Sequence, residues 1–179
     1  ILLTHFNGYL QNSIGIRNLI KKTKHKIFFL EDCAHVLAAE HKKNIYSGSY
    51  SDAAVFSFGP TKMITSGGMG GMVISKHKEL IKQINILKSF GMDKSAYNRK
   101  SDKKNWEYNI QSVGANYRMT EIQAAFGLEQ LKKVNYTGLS GKAVMPSEAE
   151  WMHHYTKTTF LCYCSSSMFQ TNMLIIVNP

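Results

Sequence analysis

Cysteine is scarce: Cys33, Cys162 and Cys164 are the only thiols, an odd number with no Cys-x-x-Cys among them. That excludes a self-contained disulfide scaffold and leaves no metal-spaced soft ligands, so a reducing compartment and no structural zinc are expected. Three prolines are too few for a Pro-rich or collagenous chain. No apolar run approaches the roughly 20 residues that span a bilayer, and no charged-then-apolar leader opens the sequence. The expectation is a cytoplasmic protein without a membrane partner. Acidic residues number 12 against 22 Lys and Arg, a net charge of +10. This balance favours anionic ligands and keeps nucleic acid under consideration.

What is present suffices for one core: 179 residues, 44% hydrophobic, a length at which folding removes roughly 70% of the unfolded surface from water. Ile1-Thr4 reads as a strand ending at the turn formers His5-Phe6-Asn7-Gly8. Asn12-Ser13 can cap a helix with Ile14, Ile16, Leu19 and Ile20 on its apolar side and Lys21 and Lys22 near its end. Ile27-Leu30 then reads as a buried strand, which completes a βαβ unit and predicts a parallel sheet.

After Glu31-Asp32 comes a polar, glycine-containing connection, then strands at Ala53-Phe58 and Met72-Ile74 around the cluster Gly67-Gly68-Met69-Gly70-Gly71. From Lys76 the period changes to that of a helix ending near Phe90-Gly91, and Thr120 with Gln123 forms a capping-box pattern ahead of Ile122, Ala125, Phe126, Leu128 and Leu131. Residues 92–108 are polar and basic, and strand patterns recur at Tyr155-Tyr163 and Met173-Val177. The fold class expected is α/β, a mostly parallel sheet with flanking helices.

Two residues become informative together. Asp32 follows an apolar strand, at the edge where open α/β sheets bind ligands, and Lys62 lies 30 positions later. Alone, the first reads equally well as a turn or cap aspartate and the second as a solvated lysine. As a pair they offer what a pyridine-aldehyde cofactor needs: an amine for a Schiff base and a carboxylate for the ring nitrogen. Ser57 offers a hydroxyl for a phosphate or for a hydrogen bond at a strand end.

Four stretches, in this order, carry a resemblance: Glu31-Asp32-Cys33-Ala34-His35, Phe56-Ser57-Phe58-Gly59-Pro60-Thr61-Lys62, the glycine cluster through Gly71, and the run from Gly114 to Ala125 that opens Gly-Ala-Asn-Tyr-Arg. The sequence resembles the DegT/DnrJ/EryC1/StrS family of sugar aminotransferases from about His5 to Val134. The resemblance implies pyridoxal 5'-phosphate on a type I aminotransferase fold. It would place Asp32 on the pyridine nitrogen, Lys62 on the aldehyde, Ser57 on the phosphate and His35, where glutamine is common, beside the ring. Asn116 would reach the phosphate bound by a neighbouring subunit, which implies a homodimer. Substrates implied are a nucleotide-diphosphate keto sugar and an amino donor such as glutamate.

Residues 1–138 are thereby expected to be a cofactor-binding portion of the large domain, and 139–179 a poorly matched segment at the start of a small domain. Family members are about twice as long, and both ends read as cuts through a longer structure. The large domain is expected to be incomplete. Met69 stands where the family usually carries an acid, a departure expected to affect local order before chemistry. A related sugar dehydratase, in which histidine replaces the Schiff-base lysine, is disfavoured by Lys62. A truncated, non-catalytic relic or partner protein is the other alternative.

Remaining motifs are weaker. The glycine cluster lacks the context of a dinucleotide fingerprint or P-loop. His153-His154 are adjacent and diverge, so no metal site is expected. The basic stretch Lys94 to Lys104 reads as a solvated loop, with no nucleic-acid module around it.

Overall fold

In the computed structural model, which describes residues 1–42, 45–93 and 107–134, the apolar run at the start pairs with Leu30–Asp32, so the second strand begins where the pattern Ile27-Leu30 ends. In chain order its elements are β1 (Leu2–Thr4), α1 (Ser13–Lys22), β2 (Leu30–Asp32), β3 (Glu40–Lys42), β4 (Ile45–Tyr46), β5 (Ala53–Ser57), β6 (Gly71–Ser75), α2 (Lys78–Leu87) and α3 (Glu121–Lys133). The main sheet has the order β1-β2-β5-β6. β1, β2 and β5 are parallel, in the register Thr4 to Asp32 to Val55, as the βαβ reading requires. β6 joins β5 antiparallel, with Ser57 opposite Gly71. The result is the expected α/β sheet flanked by helices.

The polar connection after Asp32 holds one unpredicted feature, the antiparallel pair β3 and β4. Helix starts follow their caps. Asn12 Oδ1 accepts the Gly15 amide at 3.0 Å, and Lys21 and Lys22 occupy the favourable C-terminal turn of α1. At α3 both halves of the capping box form: the Gln123 amide donates to Thr120 Oγ1 at 3.2 Å, and the Thr120 amide donates to Gln123 Oε1 at 3.0 Å.

Alternation along β5 decides where the core sits. Ala54 and Phe56 are buried with Val36, Phe58, Ile64, Met72 and Val134 in one cluster, which also takes up Leu131 of α3. Two expected packing residues depart from this plan, since Leu19 and Ile122 are about two-thirds exposed. On α3 the consecutive residues Ala124, Ala125 and Phe126 are buried instead, so the inward face is turned away from Ile122.

Asp52 acts as a joint between elements. Its carboxylate accepts the Phe29 amide at 2.7 Å, pairs with Arg17 of α1 at 3.1 Å and lies 3.3 Å from His77, which caps α2. Burial opposes its ionisation, but these partners outweigh that and hold its pKa below the usual value. Tyr155-Tyr163, Met173-Val177, His153-His154, Cys162, Cys164 and the basic stretch from Lys94 to Lys104 lie outside the described residues, as does all of 139–179.

Candidate functional site

Asp32 closes β2 and is in register with Val55, two residues before Ser57 on β5. Register partners in adjacent strands share a face and side chains alternate, so Asp32, Val55 and Ser57 lie on one face, with Glu31, Ala54 and Phe56 on the other. Asp32 and Ser57 therefore end neighbouring parallel strands on the same side, at the carboxyl edge used for ligands in open α/β sheets. Both are half-buried. Asp32 Oδ1 accepts the Ala34 amide at 3.0 Å, an Asx turn that fixes the carboxylate and turns the chain toward His35.

Lys62 arrives by a tight turn, its amide donating to Gly59 O at 3.1 Å. A methyl group placed on Gly59 would lie 3.8 Å from Ser57 Oγ, 3.9 Å from Met69 Sδ and 4.0 Å from Lys62 Cγ. Three side chains thus surround the open face of one glycine, each within 4.0 Å of the place a methyl would take. His35 sits on the adjoining turn, its Nδ1 accepting the Asn7 amide at 3.2 Å and its ring centroid 5.9 Å from that of Phe6. An acceptor Nδ1 places the ring proton of the neutral form on Nε2.

The glycine cluster proves to be a strap packed between the Lys62 turn and α3. The Phe58 amide donates to Gly70 O at 2.8 Å and the Ser66 amide to Phe58 O at 3.0 Å, so the strap clasps the residue between Ser57 and Gly59. On its other side a methyl on Gly70 would lie 2.6 Å from Met119 Sδ, and one on Gly68 would lie 2.9 Å from Gln123 Nε2. Close approach is what these glycines permit, as their clustering implies.

Asn116 occupies a different part of the chain. It bridges Ser89, while Ala115 and Tyr117 amides donate to Leu87 O and Lys88 O and the Phe90 amide donates to Ala115 O, all at 3.0 to 3.1 Å. The crossing is only possible because Gly91 and Gly114 lack side chains: a methyl on Gly91 would overlap Ser112 O, and one on Gly114 would overlap Gly91 N. Asn116 is exposed, its Oδ1 accepts Arg118 Nε at 2.9 Å, and the Arg118 guanidinium lies 5.6 Å over the Phe90 ring. Arg118 thus has a local structural role. Burial, with the Arg118 charge nearby, pushes the pKa of Lys88 down. No hydrogen bond among the described residues joins Asn116 to Asp32, Ser57 or Lys62.

Behind Asp32, on the core face, lies a group the sequence reading missed. His5, Glu31 and Cys33 are all fully buried, and a ligand atom of each lies within 4.8 Å of the others. His5 Nε2 is 3.9 Å from Glu31 Oε2, too far for a hydrogen bond, while His5 Nδ1 accepts the Gln11 amide at 3.0 Å. That acceptor role keeps the ring proton on Nε2, opposite Glu31, and opposes metal ligation through that nitrogen. Burial resists ionisation of Glu31, but His5, Ser13 and the Gly48 amide prevail and hold its pKa below the usual carboxylate range. Burial, with Glu31 and Asp32 nearby, drives the Cys33 thiol far upward, which leaves it inert. A signal was available: a glutamate directly after an apolar strand, out of phase with Asp32, must face the core.

A groove of about 500 Å³ between β1 and α1, lined by Leu3, Asn12, Ile16 and Leu19 among others, includes none of the five candidate residues. Among the described residues no helix is long and apolar enough to cross a membrane.

Comparison with known proteins agrees with the α/β fold. The model of the DegT/DnrJ/EryC1/StrS aminotransferase family matches residues 1–145. A UDP-4-amino-4,6-dideoxy-N-acetyl-beta-L-altrosamine transaminase of Campylobacter jejuni is 36% identical over 137 residues, 76% of this chain and 33% of its own length. Among solved structures, Helicobacter pylori PseC, an aminotransferase involved in the biosynthesis of pseudoaminic acid, superposes with a TM-score of 0.64 at 33% identity, over 76% of this chain and 33% of that one. The PMP form of the putative sugar aminotransferase Spr1654 from Streptococcus pneumoniae gives 0.63 at 26% identity, over 76% of this chain and 38% of that one. The chain spans about a third of the length of these relatives.

Proposed function

Because the chain belongs to the DegT/DnrJ/EryC1/StrS aminotransferase family, we propose that it forms the cofactor-binding part of a pyridoxal-phosphate-dependent aminotransferase acting on a nucleotide-linked keto sugar. The observation that carries this reading is the placement of Asp32 and Ser57 on one face at adjacent strand ends, with Ser57 Oγ and the Lys62 stem both bordering Gly59. An acid, a hydroxyl and an amine at one sheet edge fit the ring nitrogen, phosphate and aldehyde of that cofactor. Bound there, pyridoxal phosphate supplies a carbonyl for amino groups and a ring that draws off electron density.

The chain's own residues have separable tasks. Asp32 keeps a proton on the ring nitrogen, and its Asx turn fixes the carboxylate for that purpose. Ser57 Oγ donates to a phosphate oxygen. Lys62 Nζ would hold the cofactor through its aldehyde and, when free, would carry the proton that must move during transfer. His35, its Nδ1 occupied by Asn7, presents an Nε2 proton beside the ring. Retention of the amine at position 62 favours transfer of an amino group over dehydration. Overall, the donor's amino group replaces the keto oxygen of the sugar and the donor leaves as a 2-oxo acid. Glutamate is the proposed donor and the cytoplasm the proposed location.

The purified protein supplied with pyridoxal phosphate and glutamate is expected to yield pyridoxamine phosphate and 2-oxoglutarate, read by mass spectrometry. Cofactor uptake at Lys62 without any such conversion would reduce the protein to a binding remnant.

A homodimer is part of the same reading. Asn116 is exposed, and Ile110, Val113 and Tyr117 near it are also exposed, Val113 almost completely. A second copy covering this surface would bring Asn116 to its partner's phosphate. Light scattering should return twice the chain mass; a strict monomer at high concentration that still takes up cofactor would reject the arrangement.

A further inference from the structure

Gln123 uses both ends of its amide. Its oxygen completes the α3 cap with Thr120, while its nitrogen donates to Met69 O at 3.2 Å across 54 residues of chain. Met69 Sδ borders Gly59, as Ser57 Oγ and the Lys62 stem do, and the next residue, Gly70, accepts the Phe58 amide. A continuous path therefore runs from the first turn of α3 through the strap to the turn that carries Lys62.

We propose that Gln123 is a positioning residue for Lys62: its amide holds the Met69-Gly70 strap against the 57–62 turn and so fixes where the lysine amine stands. The inference rests on the reading of Lys62 as the cofactor's attachment point. Capping alone does not require glutamine. Glutamate serves at the third position of a capping box equally well, but it has no N–H for Met69 O. The close packing of Gly68 on the same nitrogen gives a second handle, since a methyl there intrudes at 2.9 Å on the far end of the glutamine side chain.

Three variants of the full chain separate the two roles. Gln123→Glu keeps the cap and removes the donor; Gly68→Ala displaces the donor and leaves the Thr120 hydroxyl bond to the Gln123 main-chain amide; Thr120→Ala removes the cap hydroxyl and leaves the donor. Reductive trapping with pyridoxal phosphate and borohydride, mapped to the Lys62 peptide, and hydrogen exchange at the Phe58 amide are read on each. Loss of one such hydrogen bond should slow trapping and speed Phe58 exchange by about tenfold in Gln123→Glu and Gly68→Ala. Thr120→Ala should lower the melting temperature and leave both rates at wild-type values. Wild-type rates in the first two variants, or equal changes in all three, would overturn the proposal. If the wild-type chain itself traps nothing on Lys62, the cofactor reading fails, while Phe58 exchange alone still decides whether the amide holds the strap.

Discussion

Lys62→Ala is expected to abolish capture of pyridoxal phosphate at this site and to lower amino transfer by about 10²–10⁴-fold, the range for removing a positioned proton carrier. The turn should survive, because the Lys62 amide bond to Gly59 O is a main-chain contact and the side chain is only half-buried. Fold and chemistry can thus be separated in one variant. Peptide mapping after borohydride treatment should show one modified peptide in the wild-type chain and none at that position in the variant. Modification spread over other lysines, with the Lys62 peptide untouched in the wild type, would show that the +10 chain merely collects an anionic aldehyde.

The second large effect concerns stability. His5→Ala removes the imidazole that faces the fully buried Glu31 carboxylate at 3.9 Å and accepts the Gln11 amide, and leaving such buried polar groups without a partner costs about 1–3 kcal/mol. The pH dependence identifies the cause. In the wild-type chain the folded-state pKa of Glu31 is depressed, so its contribution is present above the unfolded value and is lost as pH falls through the folded one. Without His5 the burial penalty dominates and the folded pKa rises. The deficit of the variant should then be largest near neutral pH and shrink toward pH 4, as the carboxyl protonates. Urea unfolding at both pH values measures this, and adding Glu31→Gln should recover part of the loss at pH 7. A deficit equal at the two pH values would point to packing and the Gln11 hydrogen bond instead.

Much of the frame could be read from local pattern. The strand ends that present Asp32 and Ser57 follow from short apolar runs, and the Thr120-Gln123 box follows from two residues at fixed spacing. Pattern fails where a contact is remote or a segment is polar. Glu40-His41-Lys42 has no apolar alternation, yet it pairs as β3. The antiparallel direction of β6 depends on the strap that leads into it, and His5 and Glu31 meet across 26 positions because β1 and β2 are neighbours. Gln123 was visible as a cap; its bond to Met69 O required the fold. The exposed Leu19 and Ile122 show the converse, an apolar stripe that these residues leave uncovered.

The glycine crossing at Gly91 and Gly114 fixes Asn116 by reference to α2 rather than by distance along the chain. Asp93 and Asn109 are joined twice, the Asp93 amide donating to Asn109 O at 3.0 Å and the Asn109 amide to Asp93 Oδ1 at 3.0 Å. The Gln111 amide then reaches Gly91 O at 2.8 Å. With both ends so fastened, the place of Asn116 depends on these contacts and not on the length of the chain between positions 93 and 107. Homologous chains can therefore diverge in length there and still deliver the asparagine to the same place, so alignments through this region should be anchored on the two glycines.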